Sequence, residues 1–183
     1  MKGYLRARLW LFIFATIIIP HNIMEASDLT DDQKKEIVYK MYEDYKKDFP
    51  AVKEISPREA MKLMAAGQAL FVDIRKPSEV EVSMLSDAVT EETFLKNSSK
   101  YRDRTIIVYC TIGSRSGKLA MEMAKKGVDM YNLRGGLLVW VLEGGKVYDA
   151  NGETKRVHVY GEKWNYLPGG YEPIMFGFFE KLF

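Results

Sequence analysis

The chain carries a single cysteine, Cys110, in the run Cys110-Thr111-Ile112-Gly113-Ser114-Arg115-Ser116. A thiol followed closely by a glycine, two serines and a guanidinium has what a sulfur nucleophile needs: a backbone free to turn, hydroxyl donors and a cation. One cysteine permits no intramolecular disulfide and no all-cysteine metal site. The only histidines are His21 and His158, so zinc chemistry and general-base chemistry both have little material. These residues support attack by a thiolate, which needs no base once it is formed and which a loop of inward-pointing N–H groups would stabilise. Elsewhere a lone cysteine reads as a small apolar core residue.

Such a loop must be held by rigid elements on both sides. Residues 105–109 (TIIVY) form an apolar run of strand length, and 113–126 place Leu119, Ala120, Met123 and Ala124 on one helical stripe with Gly127 as terminator. The cysteine therefore stands where a strand ends and a helix begins, the place where ligands bind in open α/β sheets, with the positive end of the helix dipole beside it. Residues 69–74 (ALFVDI) read as another strand covered on both faces, and 128–133 as a third. Strand, helix, strand alternation predicts an α/β fold with a parallel sheet and right-handed crossovers. Ser56, Pro57 and Glu59 open a helix over 57–66 that Gly67 stops. Gly135 and Gly136 lead into a short apolar helix over 137–142 around Trp140.

The loop resembles the active-site loop of the rhodanese-like sulfurtransferases: cysteine, several small or polar residues, then arginine and serine. The resemblance extends to Phe71-Val72-Asp73-Ile74-Arg75, to Glu79, and to Leu133-Arg134-Gly135-Gly136 with Trp140, over residues 55–146. It implies a five-stranded parallel sheet with helices on both faces and neither metal nor organic cofactor. It implies sulfur transfer from a small anion such as thiosulfate to cyanide or a thiol through a persulfide on Cys110. Thr111, Ile112, Gly113, Ser114 and Ser116 are then the cradle, Arg115 orients the loop and stabilises anions, and Arg134 with Lys118 attracts a dianionic donor. Asp73 and Arg75 read as a structural pair at the strand end, and His158 as structural. One departure stands between Glu79 and Val89, where the family usually shows Gly-His-Ile and this chain has Val82-Ser83-Met84-Leu85; a local packing contact is thereby in doubt. Phosphatases of related fold use a loop one residue longer, with arginine where Ser116 stands here, so phosphatase or arsenate reductase activity is the weaker reading. A persulfide carrier or docking module of the same fold is the other alternative.

The flanks carry different signals. Lys2, Arg6 and Arg8 precede the apolar run 9–19 (LWLFIFATIII), which is too short to span a bilayer and reads as a signal peptide over 1–26, or else as an uncleaved anchor. Export to the periplasm or secretion is the expectation, and there a lone thiol is one kept for chemistry. Without that segment the acidic and basic residues balance, which offers no attraction to nucleic acid or to an anionic membrane. Residues 28–50 contain an accessory helix over 30–48, opened by Thr30 and Gln33, with Ile37, Val38, Met41, Tyr42, Tyr45 and Phe49 along one face. Residues 147–183 are rich in aromatics (Tyr160, Trp164, Tyr166, Tyr171, Phe176, Phe178, Phe179) with no periodic element, and read as a tail that covers apolar surface or docks a partner protein.

Overall fold

A capping box of Thr30 and Gln33 opens α1 (Asp31–Lys46), and a second, of Ser56 and Glu59, opens α2 (Pro57–Ala65) with Pro57 in its first turn. The computed structural model describes residues 28–177; the leader expected over 1–26, and Phe178 and Phe179 of the tail, lie outside the described residues. Strands β1 (Glu54–Ile55), β2 (Ala69–Asp73), β3 (Val89–Thr90), β4 (Thr105–Tyr109) and β5 (Tyr131–Leu133) form one parallel sheet in the order β1-β5-β4-β2-β3. Between them run α3 (Pro77–Val80), α4 (Glu91–Asn97) and α5 (Ser114–Lys125), and α6 (Gly136–Leu142) follows β5.

The continuous apolar runs of β2 and β4 are explained by burial on both faces. Side chains alternate across a strand, so Phe71, Ile107 and Tyr109 face a core built with α1, α2 and α6, while Leu70, Val72, Ile106 and Val108 face one built with α4 and α5. Helix α1 lies against α5 and α6, and its buried Val38 and Tyr42 continue into Phe49, which follows it. Phe49 fills the space that Gly117 leaves on α5, where an added Cβ would meet its ring at 2.3 Å.

Residues 147–177 are more regular than their sequence suggests. β6 (Val147–Asp149) and β7 (Gly152–Thr154) form a hairpin, and β8 (Arg156–His158) pairs in parallel with β9 (Glu172–Ile174). Three-residue strands are too short to show a hydrophobic period, which corrects the expectation that no regular element occurs there. Lys34 of α1 donates to the Leu167 carbonyl at 2.9 Å, and the hairpin is tied to the domain by paired backbone bonds between Met84 and Tyr148, both 2.8 Å. The segment that departs from the family pattern is therefore secured by the extension.

Asp73 and Arg75 form the expected pair at the end of β2. Both side chains are fully buried; the Arg75 Nη2 donates to Asp73 at 2.7 Å and also to the Ser83 carbonyl. Asp73→Ala would leave the guanidinium buried without its counter-charge, and the expected loss is about 3–5 kcal/mol, read as a lowered urea midpoint at unchanged slope.

Candidate active site

Cys110 is the residue after β4, and its side chain is almost wholly buried at the carboxyl end of the sheet. The chain turns there through Gly113, whose φ of +92° is left-handed. A Cβ at Gly113 would also meet the Tyr42 ring at 2.7 Å, so both conformation and space demand glycine. The Gly113 amide donates to Cys110 Sγ at 3.2 Å. Helix α5 starts one residue later, and the N–H groups of its first turn have no intrahelical acceptor, so a partial positive charge faces the loop.

The loop is fixed from outside by α6. The amides of Leu137 and Leu138 donate to the carbonyls of Cys110 and Thr111 at 2.9 and 3.1 Å, so the orphan donors of one helix end take up the loop's acceptors. This requires Gly136 to lie against the loop backbone: its φ is +59°, and a Cβ would meet the Cys110 carbonyl oxygen at 2.5 Å. Thus the double glycine serves the cysteine loop directly.

Asn132, fully buried on β5, closes the other side. Its Nδ2 donates to the Gly113 carbonyl (2.9 Å) and the Tyr42 hydroxyl (3.0 Å), and its Oδ1 accepts from Ser116 Oγ at 2.7 Å. Ser116 has one proton to give, and Cys110 Sγ stands farther off at 3.6 Å, so the hydroxyl is committed to Asn132. Tyr42 in turn donates to Glu54; burial, reinforced by that carboxylate, pushes its pKa up and keeps the phenol protonated. Sequence reading missed Asn132 and the tyrosine that links it to α1, because nothing in their spacing distinguishes them from core residues.

The sequence model of the rhodanese-like domain matches residues 56–143. A sulfurtransferase of Allochromatium vinosum is 32% identical over 89 residues, which is 46% of this chain and 83% of that protein. The chain belongs to the rhodanese-like family. Among solved structures, a rhodanese-related protein of Thermoplasma volcanium aligns with 21% identity and a TM-score of 0.45, covering 52% of this chain and 96% of that one. A thiosulfate sulfurtransferase of Pseudomonas aeruginosa aligns with 19% identity and a TM-score of 0.49, over 66% of this chain and 23% of that one.

In this rhodanese-like domain Arg115 does not reach into the loop as a free cation. Its Nη1 and Nη2 each donate to an oxygen of Glu79 at 2.7 Å, and Glu79 is completely buried. Burial works against both charges, but their mutual bonds prevail: the Glu79 carboxyl is held below the usual carboxylate range, and Arg115, with the Cys110 sulfur nearby, is held charged. Thr111 Oγ1 adds a longer bond to Glu79 at 3.3 Å. Arg134 and Lys118 depart from the expected role. Arg134 donates to Glu43 at 2.6 Å and lies over Tyr39, and Lys118 pairs with Asp48 at 3.0 Å; acids on or just after α1 occupy them, and neither lines the space over Cys110.

That space is a pocket of about 170 Å³. The loop forms its floor with Cys110, Thr111, Ile112, Ser114 and Arg115, and its walls are Tyr45 of α1 with Tyr160 and Trp164 of the extension. All three wall residues lie outside the matched span. His158 Nδ1 accepts the Tyr160 amide at 3.1 Å, so its 3.8 Å approach to Glu79 is proximity rather than a hydrogen bond. A larger groove of about 600 Å³, between Phe94, Tyr101 and Val128 at the amino ends of β4 and β5, holds neither cysteine nor histidine.

Two outcomes test this geometry. Gly136→Ala is expected to cost about 3 kcal/mol or more through backbone clash and left-handed strain, visible as a lowered melting temperature and loss of the loop's reactivity toward iodoacetamide-type probes. Since the Glu79 pKa is depressed in the fold, its contribution is complete above about 4.3, the ordinary glutamate value, and is lost as pH falls through the folded value. Glu79→Gln should therefore cost about 2–3 kcal/mol at pH 7, less than a fully buried pair because Arg115 is partly exposed. The gap to wild type should narrow in denaturant titrations as pH falls below about 4.3 toward the depressed folded value.

Proposed function

We propose that the protein is a sulfurtransferase that moves sulfane sulfur from a small donor of the thiosulfate type, R–SO2–S⁻, to cyanide or a thiol. The observation that carries this reading is Cys110 Sγ, which receives the Gly113 amide at the floor of a pocket, beyond the carboxyl end of β4. The Cys110 thiolate attacks the terminal sulfur of the donor. A new S–S bond forms as the old one breaks, and its electron pair leaves with the sulfonyl sulfur as sulfite or sulfinate. Cys110 then carries a persulfide, whose terminal sulfur passes to cyanide as thiocyanate or to an acceptor thiolate, and the Cys110 thiolate is restored. No proton transfer is required in either step.

The loop supports a persulfide anion by the Gly113 amide and the head of α5, while the Glu79–Arg115 pair positions the loop. The sulfurtransferase name of the Allochromatium relative agrees with this reading. Phosphoryl transfer fits less well, because Ser116 stands where the arginine that clamps a tetrahedral oxyanion would be, and the loop's own arginine, Arg115, is engaged with Glu79.

Intact-mass spectrometry after incubation with excess thiosulfate should show a gain of one sulfur atom on wild type, removed by cyanide, and none on Cys110→Ala. A folded wild-type protein with a free thiol that gains no sulfur from thiosulfate or from any thiosulfonate would overturn the enzyme reading in favour of a carrier or docking module.

A further inference from the structure

The walls over Cys110 have a chemical character of their own. Tyr45, Tyr160 and Trp164 surround a floor whose single cation, Arg115, is already balanced by Glu79 through two 2.7 Å bonds. With the thiolate formed, the site holds two negative charges against one positive before any donor enters. Aromatic faces carry negative quadrupoles and offer no compensating charge to a dianion. The buried Trp164 indole N–H, which has no acceptor among the described residues, adds one neutral donor; Lys163 lies over the Trp164 ring at 4.0 Å, and Arg134 and Lys118 are paired elsewhere.

The aromatic wall is also built at a cost. Tyr160 holds a left-handed backbone (φ +64°), a conformation that bulky residues rarely adopt, and its ring is braced edge-on against Trp164 and Phe176 at 5.4 and 5.6 Å between centroids. The strain sets the ring over the Arg115 guanidinium at 5.4 Å, at the side of the pocket. An engineered apolar cavity of about 150 Å³ holds a benzene molecule, so 170 Å³ lined by aromatic rings admits one apolar substituent of that size.

We propose that Tyr45, Tyr160 and Trp164 form a specificity wall that selects singly charged sulfane donors with an apolar, ring-sized substituent, R–SO2–S⁻ with R a hydrocarbon, over the thiosulfate dianion. This rests on the sulfur-transfer reading above and names the donor class for the same cysteine. The chemistry is balanced as before: the donor's terminal sulfur becomes the Cys110 persulfide, the S–S pair leaves with the hydrocarbon sulfinate, and no external oxidant or reductant is consumed.

The test compares benzenethiosulfonate, methanethiosulfonate and thiosulfate on the full chain with cyanide as acceptor. Each kcat/KM is divided by the rate of that donor's uncatalysed reaction with cyanide, and persulfide on Cys110 is followed by mass. Wild type should favour benzenethiosulfonate over thiosulfate by at least about tenfold, the discrimination a pocket gains from a few apolar groups, with methanethiosulfonate between them. Tyr160→Asn, which tolerates the left-handed backbone, and Trp164→Ala should each lower that ratio severalfold. A wild-type ratio near one with persulfide still formed, or a ratio unchanged in both folded variants, overturns the proposal and leaves sulfur transfer standing. Absence of persulfide from all three donors overturns both.

Discussion

Two hydrogen bonds, from the amides of Leu137 and Leu138 to the carbonyls of Cys110 and Thr111, hold the cysteine loop from outside. A peptide group has its donor and acceptor on opposite sides, so binding the Cys110 and Thr111 carbonyls outward points the amides of Thr111 and Ile112, which share those peptide groups, the other way, and the Gly113 amide follows with its bond to the sulfur. The head of α6 is suited to this because its first N–H groups have no partner within the helix. Close approach of α6 then dictates Gly136, since a side chain at that position would collide with the loop backbone. The double glycine, the buried helix around Trp140 and the orientation of the cysteine loop thus follow from one contact.

A second constraint is electrostatic. Arg115 sits beside the sulfur, yet its guanidinium is bound through both terminal nitrogens by a carboxylate with no exposure to water. A free arginine would stabilise the thiolate more strongly, but would also swing in solvent and leave the loop without its lateral anchor. Pairing gives up part of the cation's field for position, and leaves the backbone dipoles as the principal support for a sulfur anion. That division suits the proposed sulfur transfer, in which the charge on sulfur would be nearly constant through the cycle, thiolate to persulfide to thiolate.

The strand–loop–helix unit around Cys110 was legible because its signals are local. Apolar runs mark β2 and β4, glycine marks the loop, and capping boxes mark the heads of α1 and α2. Asp73 and Arg75 were legible as a pair because two residues of spacing at a strand end can close a ring of hydrogen bonds. Asn132 was not, since a single amide in a three-residue strand reads as a weak strand former, and its value lies in partners brought from Tyr42, Gly113 and Ser116. The ion pairs of Arg134 and Lys118 were not legible for the same reason. Their counter-charges, Glu43 and Asp48, come with α1, and the docking of that helix on α5 and α6 is a tertiary fact with no local code.

The elements added on either side of the matched domain act on the site rather than beside it. Helix α1 supplies Tyr42, which fills the space over Gly113 and orients Asn132, and Tyr45, which walls the pocket. The extension supplies Tyr160 and Trp164, and it is itself held by Lys34 of α1 through the Leu167 carbonyl and by the Met84–Tyr148 bonds. Because the two flanks are bonded to each other, neither can loosen without disturbing the wall over Cys110. A left-handed tyrosine such as Tyr160 persists only where its surroundings over-determine it, and here the Trp164 and Phe176 rings on its sides and the His158 acceptor on its amide do so. The cradle beneath the sulfur is a property of the shared domain, whereas the walls that decide what reaches it belong to the parts of the chain outside that domain.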